Sequence, residues 1–146
     1  VILESIEHVG QNNLKSFIDG LHKRLKPGGV IYLQTTGRYT PKQVDSWTLK
    51  YVFPGGYLPT KPELIENAVS SGFDVEMFID DTQSYIYTLS EWIARLESHQ
   101  SEIESMFSPS FYRLWHLWTH GAKVAFEVES MNLFRVKLTK PSTTSK

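Results

Sequence analysis

Apolar positions along the chain follow two periods. Val1-Ile2-Leu3 opens as a buried-strand pattern, and a short strand is expected through Ile6. Leu14, Phe17, Ile18, Leu21 and Leu25 then recur at steps of three and four, the stripe of one helix face. Lys26-Pro27-Gly28-Gly29 stops that helix. Val30-Ile31-Tyr32-Leu33 is a continuous apolar run and predicts a second strand, buried on both faces. Strand, helix and strand at this spacing make a βαβ unit, hence a parallel pair with a right-handed crossover.

Residues 37–59 are irregular and aromatic, with Tyr39, Trp47, Tyr51, Phe53 and Tyr57, and leave room for a short helix within 44–51. A long loop this rich in aromatics points to function rather than disorder. Thr60-Lys61-Pro62-Glu63 reads as a capping box, opening a helix that carries Leu64, Ile65, Ala68 and Val69 and ends at Gly72. Residues 73–79 alternate as a strand. Thr88-Leu89-Ser90-Glu91 reads as a second capping box, with Leu89, Trp92, Ile93, Leu96 and Ile103 on one face. Ser108-Pro109 starts another helix bearing Phe111, Leu114, Trp115, Trp118 and Ala122. At helical spacing, Trp92, Trp115 and Trp118 read as core. A last strand turns Phe134, Val136 and Leu138 inward and Arg135 and Lys137 outward. The fold class expected is α/β: part of a Rossmann-like sheet, a helical insertion and closing antiparallel strands. One domain is expected over 1–139, with a disordered polar tail over 140–146.

A net charge of -1 leaves no basic field for a nucleic acid backbone, so no such partner is expected. With no cysteine there is neither a disulfide framework nor a thiolate metal site. His116 and His120 stand four apart, but no carboxylate in the same segment completes a ligand set, so no metal is expected. No apolar run reaches the ~20 residues of a membrane span, and the expected setting is the cytoplasm.

Ligands of such sheets sit at the carboxyl ends of the strands. Two clusters fall there: Glu7-His8-Val9-Gly10 and Gln34-Thr35-Thr36-Gly37. A carboxylate, an imidazole and an amide would meet beside the aromatic loop. Glu7 and His8 equally suit the start of the following helix, where negative charge meets the positive end of the dipole.

Ser5-Ile6-Glu7-His8-Val9-Gly10, Leu25-Lys26-Pro27-Gly28-Gly29 and Leu33-Gln34-Thr35-Thr36-Gly37 form a series with two later stretches. These are Tyr51-Val52-Phe53-Pro54-Gly55-Gly56-Tyr57-Leu58-Pro59 and Tyr85-Ile86-Tyr87-Thr88-Leu89-Ser90-Glu91-Trp92. In order and spacing, over residues 1 to 138, the series resembles the cyclopropane fatty acid synthases, including the mycolic acid cyclopropane synthases. The Phe-Pro-Gly-Gly-x-Leu-Pro stretch is its most specific part.

The resemblance implies a class I S-adenosylmethionine-dependent methyltransferase fold from strand four onward. It implies methyl transfer from S-adenosylmethionine to the cis double bond of a phospholipid acyl chain. The carbocation so formed loses a proton, which a bound bicarbonate accepts. Glu7 matches the family's bicarbonate-holding Glu and Tyr85 its Tyr, and Thr36 falls where a backbone contact is expected. Gln34 stands where the best-known members have His; it hydrogen-bonds but carries no charge. Ring closure and simple C-methylation therefore both stay open. His8 joins Glu7 and Tyr85 as a catalytic candidate. Phe53, Gly56, Tyr57 and Leu58 are candidates for an acyl-chain wall, or for pinning the loop.

The glycine-rich loop and the acidic ribose-binding residue of the family have no counterpart in this sequence. The main cofactor site is therefore expected in a missing N-terminal half, and the chain alone is expected to be inactive. Its first strand would offer an open edge to that half or to a second copy. Contact with the inner membrane face is expected of the full-length protein. Two rival readings are a small-molecule N-methyltransferase and a non-catalytic module that binds lipid or complements a separate cofactor half.

Overall fold

A computed structural model describes residues 1–142. They form two compact units, one of Val1–Asp81 with the segment from Asn132 onward, the other of Thr82–Met131. The first unit runs β1 (Ile2–Leu3), 3-10 turns at Ile6–His8 and Gln11–Asn13, α1 (Leu14–Arg24), β2 (Val30–Gly37), α2 (Ser46–Tyr51), α3 (Lys61–Ser70) and β3 (Asp74–Asp80). The second holds α4 (Thr82–Ser98), α5 (Gln100–Met106) and α6 (Pro109–Glu127), after which β4 (Asn132–Thr139) returns to the first.

The sheet order is β1-β2-β4-β3. β1 and β2 are parallel, as the βαβ reading requires, and β4 runs antiparallel to both β2 and β3. Leu14 and Ile18 of α1 and Leu64 and Ala68 of α3 cover one sheet face, burying Ile31, Leu33, Phe134, Val136 and Leu138. Each such side chain removed from water contributes about 1.5–3 kcal/mol. Phe134 is the centre: it is fully buried, with the Tyr39 and Phe78 rings 5.4 and 5.0 Å away. Gly37 sits where a Cβ would lie 2.7 Å from both the Phe134 ring and the Pro59 carbonyl oxygen.

Two strand expectations and one for the tail change. The first strand stops at Leu3, because Glu4 turns to φ 47° after its N–H makes a 3.0 Å bond to the Gln34 carbonyl. β2 is longer than its apolar run and is not buried on both faces. Val30 and Tyr32 are 44 and 47% exposed, since α1 and α3 pack on the same side of the sheet. Lys140 is not free tail: its N–H and carbonyl pair with Gly29 and Gly28 at 2.9 Å, and its Nζ donates to the His22 and Leu25 carbonyls. The remainder of the expected tail, residues 143–146, lies outside the described residues. Outward charges on β4 behave as read, with Arg135 on Asp81 at 2.7 Å and Lys137 on Glu76 at 2.5 Å.

The Thr60 capping box forms, its hydroxyl accepting from the Glu63 N–H while the Glu63 carboxylate accepts from Thr60. The Thr88 box does not. Apolar spacing continues backwards through Tyr85, so α4 starts at Thr82 and Thr88 is interior, donating 3.1 Å to the Ser84 carbonyl. The helix expected through Ile103 breaks at His99, whose backbone leaves helical geometry before α5. Ser108 caps α6 by accepting from the Phe111 N–H. Leu89, Ile93, Tyr112, Ala122 and Phe126 fill this unit's interior. Trp92, Trp115 and Trp118 are not in it; Trp92 is 44% exposed.

Candidate active site

The 3-10 turn after β1 carries Glu7 against the carboxyl end of β2. Glu7 is buried. Its Oε1 accepts from the Thr35 hydroxyl and, at 2.7 Å, from the Thr36 N–H. Its Oε2 is equally buried and has no partner among the described residues. Burial dominates the electrostatics and pushes the carboxyl up to about 7, although the Thr35 and Thr36 hydrogen bonds pull the other way. A carboxyl in that range exchanges a proton near neutral pH, which is the property of a general base. The hydrogen bonds of the Glu7 carboxylate go to Thr35 and Thr36 of β2 and not to N–H groups of the following helix.

Gln34 and Thr36 point from β2 to a different carboxylate. Glu4 accepts from the Gln34 amide at 3.3 Å and from the Thr36 hydroxyl at 2.8 Å. Gln34 thus lies at the same strand end as Glu7 but is engaged by Glu4. Nothing in the sequence singles out Glu4, whose place depends on its left-handed backbone.

The aromatic loop is tied to this strand end. The Tyr57 N–H donates 2.9 Å to the Glu7 carbonyl, and the exposed His8 ring meets Phe53 edge-on, centroids 5.7 Å apart. The Gly56 N–H closes a turn on the Phe53 carbonyl at 3.0 Å. The Tyr57 hydroxyl donates to Glu63 at 2.5 Å; burial first, then this bond to a carboxylate, holds its pKa well above the ordinary phenol value. Tyr57 therefore acts as a neutral donor that pins the loop to α3. Phe53, Gly56 and Leu58 are only partly buried, leaving apolar surface at the strand end. Arg38 is a residue the motifs do not flag. It is buried, its Nη1 donates to the Lys42 and Gln43 carbonyls, and burial lowers its pKa. It fixes the loop from inside.

Tyr85 belongs to the helical unit, where its ring packs edge-on against Trp92 and Phe126 at 6.2 and 5.1 Å. The structure thus brings Glu7, His8, Gln34, Thr36, Phe53, Gly56 and Tyr57 to one strand end, and sets Tyr85 in the second unit.

A βαβ core and an antiparallel last strand between β2 and β3 make an open Rossmann-like sheet, with a carboxylate at its strand ends. Known proteins make this specific. The family profile for mycolic acid cyclopropane synthetase matches residues 1–136, and the chain belongs to that family of S-adenosylmethionine-dependent methyltransferases. It is similar to the cyclopropane-fatty-acyl-phospholipid synthase of Escherichia coli (strain K12), 30% identical over 131 residues, covering 89% of this chain and 34% of that protein. A sphingolipid C9-methyltransferase of Gibberella zeae is 25% identical over 144 residues, covering 94% of this chain and 28% of that one. The crystal structure of mycolic acid cyclopropane synthase CmaA1 with SAH and CTAB superposes with a TM-score of 0.89 at 22% identity, over 94% of this chain and 53% of that one. The chain thus spans about a third of the length of those two curated relatives. Among the described residues, no helix is long and apolar enough to cross a membrane.

Proposed function

We propose that this chain is the proton-handling part of a methyltransferase that alkylates the cis double bond of a phospholipid acyl chain. The observation that carries the reading is Glu7. One of its oxygens is held by Thr35 and Thr36, and the other is buried without a donor. A bare buried carboxylate oxygen requires a hydrogen, either its own proton or one from a bound group. Bicarbonate, which offers a hydroxyl, fits that position, and Glu7 would hold it, while the Gln34 amide stays on Glu4. S-adenosylmethionine supplies the methyl group when bound, and the main contacts to it belong to sequence beyond this chain. Glu7, directly or through a held bicarbonate, receives the proton that the methylated chain loses. His8 and Phe53 stand at the same strand end, and the apolar surface of Phe53, Gly56 and Leu58 suits an acyl chain better than a polar amine.

Ring closure and methyl branching both end in loss of a proton, from the transferred methyl or from a neighbouring chain carbon, and a neutral amide at position 34 is compatible with either outcome. In the second unit, Met106, Phe107 and Phe111 are exposed, and the two Phe rings stack at 4.4 Å. Such an aromatic tip suits peripheral contact with a membrane surface. The test is product analysis by mass spectrometry on cells making the whole enzyme. Glu7→Gln should lower turnover by about 10²–10⁴-fold, while Gln34→His reads whether the ratio of methyl-branched to cyclopropane chains depends on position 34. Unchanged turnover in Glu7→Gln refutes the role of Glu7. The 146-residue chain alone should show no calorimetric binding of S-adenosylmethionine, and tight binding refutes the division of labour.

A further inference from the structure

The helical unit holds a cluster that methyl transfer does not use. His116 and His120 lie one turn apart on α6, with ring centroids 4.3 Å apart. Glu97, one residue before the end of α4, reaches both: its Oε1 is 3.1 Å from His116 Nε2 and 3.5 Å from His120 Nε2. One ligand atom from each of the three lies within 4.8 Å of the other two. The carboxylate missing from the His pair's own segment therefore arrives from the neighbouring helix.

We propose that Glu97, His116 and His120 bind a divalent transition-metal ion of the zinc type. Geometry is the first argument. Around a tetrahedral zinc with bonds of about 2.0–2.2 Å, neighbouring ligand atoms sit about 3.3–3.5 Å apart. The two distances to Glu97 bracket that spacing. The three side chains are 40–48% exposed, so their rotamers adjust readily and a fourth position is open to water. The second argument is hydrogen placement. His120 Nδ1 lies 2.9 Å from the His116 carbonyl oxygen, which only accepts, so Nδ1 carries the hydrogen. That leaves Nε2, 3.5 Å from the Glu97 oxygen, as the ring nitrogen placed to ligate an ion. The same Nδ1–H to carbonyl bond is the outer-shell contact that orients metal-binding imidazoles. Two imidazoles and a carboxylate select zinc, copper or nickel over magnesium and calcium, which prefer all-oxygen sets. A bound ion would clamp the end of α4 to the middle of α6.

The experiment titrates Zn²⁺ into the tag-free full chain by calorimetry in a buffer without phosphate. One equivalent should bind, and Mg²⁺ should not. His116→Ala and His120→Ala should each weaken binding at least tenfold, as should Glu97→Gln. His99→Ala, in the same unit but outside the cluster, should stay within twofold. Co²⁺ added to the unaltered chain should give the intense visible band of a four-coordinate ion, a readout that needs no variant to fold. Absence of Zn²⁺ binding overturns the proposal. So does binding that persists within twofold in all three ligand variants, or a Co²⁺ spectrum like that of the hydrated ion.

Discussion

Replacing Glu7 by Gln should make the folded chain less sensitive to alkaline pH. The carboxyl is moved by burial from its ordinary 4.5 to about 7. Below 4.5 both the folded and unfolded states hold the proton, and Glu7 contributes no pH dependence. Between 4.5 and about 7 the folded state keeps a proton that the unfolded state has lost, so stability falls as pH rises. Above that range the loss is complete and amounts to about 3 kcal/mol. Gln keeps the oxygen that accepts from the Thr36 N–H but places an amide where Oε2 had no partner, a pH-independent cost of about 1–3 kcal/mol. The difference between variants across pH is therefore the quantity to read, not either value alone. The other titrating groups are common to both chains and cancel. Urea unfolding at pH 5 and pH 8 measures it. With a slope of roughly 1–3 kcal/mol/M, the unaltered chain should lose about 1–3 M more of its midpoint between these pH values than Glu7→Gln does. Parallel profiles would show that Glu7 ionises normally in the folded chain, and the argument for a base poised near neutrality would fail.

Two further stability changes follow from packing. Gly37→Ala should cost about 1–3 kcal/mol by chemical denaturation, because the added methyl meets the Phe134 ring and the Pro59 carbonyl at 2.7 Å; unchanged stability would mean the sheet yields freely there. Thr60→Ala should cost about 1 kcal/mol, while Thr60→Ser, which keeps the hydroxyl that accepts from the Glu63 N–H, should recover most of it in the same assay.

Local signals carried far in this sequence. The α1 stripe, the Thr60 box, the Ser108 cap and the inward–outward alternation of β4 are all set by residues within a few positions of one another, and each forms as its pattern requires. The same kind of signal misleads at Thr88. There a Thr-x-x-Glu pattern occurs on a helix already begun, and nothing local distinguishes the two situations. Glu7 was legible because a strand end and a motif coincide. Glu4 was not, since its backbone turn and the β2 register create its contacts across 30 and 32 positions. The Glu97 and His116 pairing likewise spans 19 positions and exists only because α4 and α6 pack together.

The pleat of β2 has an evolutionary consequence. Successive side chains of a strand face opposite ways, so Thr35 serves Glu7 from one side while Gln34 and Thr36 serve Glu4 from the other. The second donor to Glu7 is the Thr36 main-chain N–H, present whatever the side chain. Exchange at position 34 can thus retune one carboxylate while leaving the other's setting intact. A lineage can vary the side chain at that position without disturbing the hydrogen bonds that hold Glu7.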